Sequence, residues 1–105
     1  MLRTRVMPCL LINNGRLVKT IKFKNERYVG DLLNAVRIFN QKEVDELVVF
    51  DISRTRLNKK IDFDLIKKMA SQCFMPVCYG GGVKSIEDFK RLFTLGVEKV
   101  SVSSL

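Results

Sequence analysis

Apolar residues in this chain fall into dense short runs separated by stretches of helical spacing. Residues 6–12 form a dense apolar run broken only by Pro8, which predicts a buried strand. Asn13-Asn14-Gly15 is a turn signal, and residues 17–23 continue as a second, shorter extended arm, as in a hairpin. The polar stretch Lys24-Asn25-Glu26-Arg27 leads to Gly30 and to Asp31, a candidate N-cap. Leu32, Leu33, Val36 and Phe39 then recur at helical spacing, predicting a helix to Lys42. Residues 46–52 make the next strand, and the run Leu47-Val48-Val49-Phe50 suits a strand covered on both faces. Arg54-Thr55-Arg56-Leu57-Asn58-Lys59-Lys60 reads as a basic loop. Asp62 or Asp64 can cap a helix whose apolar face is Leu65, Ile66, Met69, Ala70 and Cys73. Residues 75–79 predict the third strand, followed by Gly80-Gly81-Gly82. Ser85-Ile86-Glu87-Asp88 has the form of a capping box with Asp in place of the usual Glu or Gln. Ile86, Phe89, Leu92 and Phe93 line that helix, Gly96 ends it, and residues 97–102 predict the fourth strand.

Strand and helix alternate, so the strands are expected to be parallel with right-handed crossovers. An internal echo supports this. Val44-Asp45-Glu46-Leu47-Val48-Val49 aligns with Val97-Glu98-Lys99-Val100-Ser101-Val102 at an offset of 97 − 44 = 53 residues, and both run from a helix end into a strand. A repeat of two βα units fits a barrel built by duplication. The expectation is an α/β chain, residues 1–105 as one domain, forming the N-terminal (βα)4 half of a TIM (βα)8 barrel of about 250 residues. Four parallel strands do not close such a barrel, and the first and fourth would present open edges. A longer protein, a second copy pairing edge to edge, some other cover, or an open flattened sheet would each answer this.

Composition narrows the classes. Hydrophobic residues are 47% of 105, enough for a core. No apolar stretch approaches the ~20 residues of a membrane span, and the N-terminus has no signal-peptide pattern, so a cytoplasmic protein without membrane contact is expected. Lys plus Arg is 19 and Asp plus Glu is 11, giving +8. That balance suits nucleic acid, a membrane surface or phosphorylated small molecules, and the lack of interleaved aromatics argues against nucleic acid. Cys9, Cys73 and Cys78 have no C-x-x-C spacing and read as small buried residues in a reducing compartment. The chain has no histidine, so acid–base chemistry rests on other groups. The glycine run between strand and helix lets backbone N–H groups approach an anion, a phosphate above all; a plain tight turn is the other reading.

Taken in order, Pro8-Cys9-Leu10, Asn14-Gly15-Arg16 with Val18-Lys19, Asp45-Glu46-Leu47 through Asp51-Ile52, Gly80-Gly81-Gly82-Val83 with Ser85, Glu87 and Asp88, and residues 96–101 resemble the N-terminal half of the cyclase subunit of imidazole glycerol phosphate synthase. The resemblance implies a (βα)8 barrel of histidine biosynthesis that takes ammonia from a glutaminase subunit and joins it to a phosphorylated ribulose substrate carrying two phosphates. It implies phosphate binding by Gly81, Gly82, Ser103 and Ser104, a substrate-facing Lys19, and an Asp51 able to accept from a substrate hydroxyl. Family members commonly carry Asn at Ser103 and Thr or Ser at Ser104. It further implies an ammonia gate of charged residues, Arg5, Glu46 and Lys99, at the starts of the first, second and fourth strands. Ordinary strand-end salt bridges are the plainer alternative. No cofactor and no metal are implied.

The match fails at Leu11, where cyclase members carry an aspartate acting as general acid/base. Leucine transfers no proton, so the catalytic residue is left unknown. Asn13 and Asn14 also replace residues that are usually charged. Relatives with such changes occur beside surface-polysaccharide genes, which implies an alternative: a paralogue supplying ammonia for amidation of an acetamido sugar, with the basic stretch meeting an acidic sugar or a partner. A non-catalytic half-barrel that binds phosphate, and a half-barrel that self-associates through its sheet edges, are the remaining alternatives.

Overall fold

A computed structural model describes residues 5–21, 25–56 and 60–102. β1 (Cys9–Asn13) turns into β2 (Arg16–Ile21), and β3 (Asn25–Asp31) follows. Then come α1 (Leu32–Lys42), β4 (Leu47–Asp51), α2 (Ile52–Arg56), α3 (Phe63–Gln72), β5 (Val77–Gly80), α4 (Ile86–Thr94) and β6 (Lys99–Ser101). All six strands form one sheet in the order β3-β2-β1-β4-β5-β6. β1, β4, β5 and β6 are parallel neighbours, and β2 and β3 are antiparallel. The four parallel strands, alternating with helices, are the expected half-barrel.

The turn from β1 to β2 has Asn14 at φ 53° and Gly15 at φ 80°, the paired positive values of a type I′ hairpin. Its register, Leu11 with Val18 and Asn13 with Arg16, lays the hairpin against β1. The first parallel strand is therefore not an open edge over Leu11–Asn13, contrary to expectation. Of the polar stretch expected to be a connector, Lys24 lies outside the described residues and Asn25-Glu26-Arg27 instead open β3, which is paired from Arg16 with Asp31 to Ile21 with Asn25. Cross-strand pairing, not apolar patterning, makes that strand. At the other end of the run, residues 6–8 are not strand. Pro8 has no N–H to give, although its carbonyl still accepts from Val48 N–H at 2.9 Å.

The helices start where side-chain oxygens meet their first orphan N–H groups. Asp31 accepts from Asn34 N–H at 3.2 Å, Asp62 from Leu65 N–H at 3.1 Å, and Ser85 from Asp88 N–H at 3.2 Å. Asp62, not Asp64, is thus the cap of α3. Asp88 reaches back to Lys84 N–H at 3.0 Å, one residue before the box would place it. Gly96 N–H donates to Phe93 O and Val97 N–H to Leu92 O, both at 3.1 Å, the paired bonds of a Schellman stop.

Strand alternation sorts the sheet. Ile12, Leu47, Val49, Val77 and Tyr79 point to the helices and pack with Leu32, Val36, Ile66, Met69 and Leu92 in one core. The opposite residues form two rows across the parallel strands. Cys9, Val48, Cys78 and Lys99 make one row, and Leu11, Phe50, Gly80 and Ser101 the other. In a (βα)8 barrel this is the face that lines the interior. Two of the three cysteines are less buried than expected for this reason. Cys9 is exposed and Cys78 half-buried on that face, and Cys73 is half-buried after α3. α4 also departs from expectation. Leu92 is buried, but Ile86 is 72% and Phe93 49% exposed, since their side of the helix turns away from the sheet.

Candidate functional site

The parallel strands have two ends, and the chain puts different chemistry at each. At the C-terminal end, β4 closes on Asp51, only 2% exposed. Asp51 Oδ1 accepts from Ser53 Oγ at 2.6 Å, Ser53 N–H at 3.0 Å and Arg54 N–H at 3.3 Å. Arg54 Nε donates to Oδ2 at 3.2 Å. The carboxylate expected to meet a substrate hydroxyl is thus engaged in turning the chain from β4 into α2. Arg54 reaches further, with Nη2 3.7 Å from Asp62 and Nη1 donating to Lys60 O at 3.2 Å. The first cation of the basic stretch is therefore part of a clamp between β4 and α3, not of a solvated loop. Ser53 and Arg54 are site residues that the sequence reading did not single out. The signal was present in Asp51-Ile52-Ser53, since an aspartate two residues before a serine favours such a local turn.

Next to the clamp lies the glycine run. A Cβ on Gly80 would stand 2.6 Å from Phe50 Cδ1, so the flat Phe50 ring requires a bare backbone there. Gly81 has φ +131°, and a Cβ would come within 2.5 Å of the Asp51 carbonyl oxygen. Buried Tyr79 donates its hydroxyl to Gly81 O at 2.9 Å. Burial, and then the Asp51 carboxylate, push the Tyr79 phenol well above its ordinary range, which keeps it a neutral donor. Packing alone thus accounts for two of the three glycines. Gly82, at φ +73°, lines a concavity of about 350 Å³ with Lys60, Ile61, Phe63, Lys84, Asp88 and Arg91. Of the other residues expected to bind phosphate, Ser103 and Ser104 lie outside the described residues. Lys19 pairs with Arg27 across β2 and β3.

At the N-terminal end, Lys99 Nζ and Glu46 Oε1 form an ion pair at 3.0 Å. Arg5, Glu46 and Lys99 all line one concavity of about 250 Å³, with Met7, Asp45, Pro76 and Glu98. Asp45 holds the entering segment there. Its Oδ2 accepts from Val6 N–H at 2.7 Å, and its own N–H donates to Val6 O at 2.9 Å. The three residues that sequence reasoning grouped are thus brought together. Cys78 is in register with Lys99, and its thiol is pushed up by burial and by the Glu46 carboxylate, partly offset by Lys99. Leu11 lies toward the C-terminal end, in the row that ends β5 and β6. It is in register with Phe50, so the position where the resemblance implied an acid is an apolar patch of the interior face. Among the described residues no group of His, Cys, Asp and Glu is placed to hold a metal, and no helix is long and apolar enough to cross a membrane.

A parallel βα sheet, with a charged cluster at the strand starts and a glycine turn at the strand ends, defines the half-barrel class of TIM-barrel proteins. The chain belongs to the histidine biosynthesis protein family, whose model matches residues 5–105. It is 56% identical over 104 residues to a Pseudomonas aeruginosa protein named "Putative imidazole glycerol phosphate synthase subunit hisF2", covering 99% of this chain and 41% of that protein. It is 57% identical over 104 residues to the similarly named hisF3 of Vibrio vulnificus, covering 99% and 40%. To the imidazole glycerol phosphate synthase subunit HisF of Buchnera aphidicola it is 40% identical over 104 residues, again covering 99% and 40%. The chain therefore spans about two fifths of the length of these relatives.

Proposed function

We propose that this chain is the ammonia-accepting part of a glutamine amidotransferase of the imidazole glycerol phosphate synthase type, working with a glutaminase subunit. The observation that carries the proposal is the Glu46–Lys99 pair in one concavity with Arg5, at the strand starts. Nitrogen enters there and travels along the interior face toward the strand ends. The substrate is a phosphorylated ribulose compound, as in histidine biosynthesis, with one phosphate at Gly81, Gly82, Ser103 and Ser104. The pairing of Glu46 with Lys99 closes the entrance, and separating them opens it.

A second reading has its own observation. Leu11 faces the interior beside Phe50, where no proton can be exchanged. It supports a paralogue that has given up cyclisation and passes ammonia on for amidation of another acceptor, an acetamido sugar in surface-polysaccharide biosynthesis.

The test compares nitrogen sources. Protein carrying this chain is given the histidine-pathway ribulose substrate with either ammonium or glutamine plus glutaminase. Lys99→Glu should impair the glutamine-driven reaction and spare the ammonium-driven one; equal effects on both would refute the gate. Cyclisation at an ordinary rate with Leu11 in place would refute the second reading, and its appearance only in Leu11→Asp would support it.

A further inference from the structure

The concavity beside Gly82 is outside the interior face. Its walls are Lys60 and Ile61 before α3, Phe63 at the start of α3, Lys84 before α4, and Asp88 and Arg91 on α4. It therefore opens on the helix side of the rim, at the strand ends. Its volume of about 350 Å³ falls at the lower end of the ~300–1,000 Å³ typical of small-molecule sites. Three of its seven lining residues are cations and one is an acid. That acid is already engaged, since Asp88 Oδ2 accepts from Lys84 N–H at 3.0 Å within the helix start. Its charge is partly offset where helix N–H groups are positive.

One of the cations is held by its side chain, and a second only by the backbone that carries it. The Arg91 guanidinium carbon lies 4.1 Å from the centre of the Phe63 ring. Stacking fixes the plane of the group and leaves its N–H edge to donate. Lys60 is tied by its carbonyl to Arg54 Nη1 at 3.2 Å, and Arg54 is anchored by buried Asp51. Ordering the Arg91 guanidinium before a ligand arrives lowers the entropy lost on binding.

From this geometry we infer a rim site for a phosphoryl group of a small molecule, a diphosphate above all, bound by Lys60, Lys84 and the Arg91 edge with Gly82 beside it. The chemistry fits because phosphate oxygens accept several charge-assisted hydrogen bonds, and a planar guanidinium offers two in parallel. The site does not depend on the cyclase reading or on the interior face. It would serve an acceptor that brings its own phosphate to the rim.

The experiment titrates inorganic pyrophosphate into the chain by calorimetry at low salt and follows backbone amide shifts by NMR. Lys60→Glu/Lys84→Glu should weaken binding at least about tenfold. Lys67→Glu/Lys68→Glu, which makes the same charge change at exposed positions on α3, should weaken it far less. Shifts should centre on Gly82, Lys84 and Arg91. Circular dichroism confirms that both double variants fold, and Arg91→Ala gives a second reading should Lys60→Glu/Lys84→Glu unfold. Absence of binding, or equal losses in the two double variants, would overturn the site. Binding unaffected by Lys60→Glu/Lys84→Glu, with shifts centred on Gly81 and Ser101, would overturn it in favour of an interior phosphate cradle.

Discussion

Phe50 and Gly80 meet face to face in register across two parallel strands. The ring fills the space a Cβ would need, 2.6 Å from Cδ1 and 2.8 Å from Cε1. Gly80→Ala should therefore cost roughly 1–3 kcal/mol by overpacking. In a Phe50→Leu background the same change should cost about 1 kcal/mol less, and urea unfolding of the four-member cycle measures the difference. Cys73 offers a second test. Burial pushes its thiol from 9.0 up to about 11. The unfolded chain then releases that proton first as pH rises. The stabilisation is whole below pH 9 and declines as pH climbs toward 11. Urea midpoints should fall over that range, and Cys73→Ala should flatten the fall. Tyr79, raised in the same direction, leaves a remainder at higher pH. The sequence reading took the glycine run for an anion cradle or a plain tight turn, and not for a close fit of Gly80 against Phe50 and of Gly81 against Asp51. That fit depends on which strands become neighbours.

Elements were legible where burial forms them. β4 and β5 stood out because their apolar runs are dense, and α1, α3 and α4 because caps and helical spacing agree. β3 was not legible, since a polar strand gains its order from β2 alone. α2 was hidden for a related reason. It has five residues with no apolar face, and the Asp51 carboxylate and Ser53 start it. Arg5, Glu46 and Lys99 were legible as a group through the family resemblance; Lys99 opens β6, Glu46 stands just before β4, and Arg5 lies in the segment leading to β1. The clamp around Asp51 was not, because Arg54 looked like one cation among many. Breaking that clamp should be costly. Arg54→Ala leaves Asp51, 2% exposed, without its cation and should destabilise by about 3 kcal/mol. Arg54→Ala combined with Asp51→Asn should recover part of the loss, since no buried charge then stands alone. Faster hydrogen exchange at Leu65, whose amide Asp62 caps, would report the loosening of α3.

Across the whole molecule the 53-residue echo acquires a physical meaning. Glu46 and Lys99 occupy equivalent places in the two repeats, and they are the residues that pair at 3.0 Å. Duplication would set equivalent positions two strands apart with β5 between them, and the long side chains of Glu46 and Lys99 span that gap with opposite charges. The pair should contribute little to folding, because Lys99 is 64% exposed. Glu46→Gln should thus leave the thermal midpoint nearly unchanged, as scanning calorimetry can check, while altering glutamine-driven turnover. The same exposure makes the pair responsive to its medium. Dissolved ions reach the lysine freely, and at about 1 M salt the attraction between unit charges is damped within roughly 3 Å. If the pair fastens an ammonia entrance, as proposed, that entrance would leak more readily in brine than in dilute buffer, with the architecture intact.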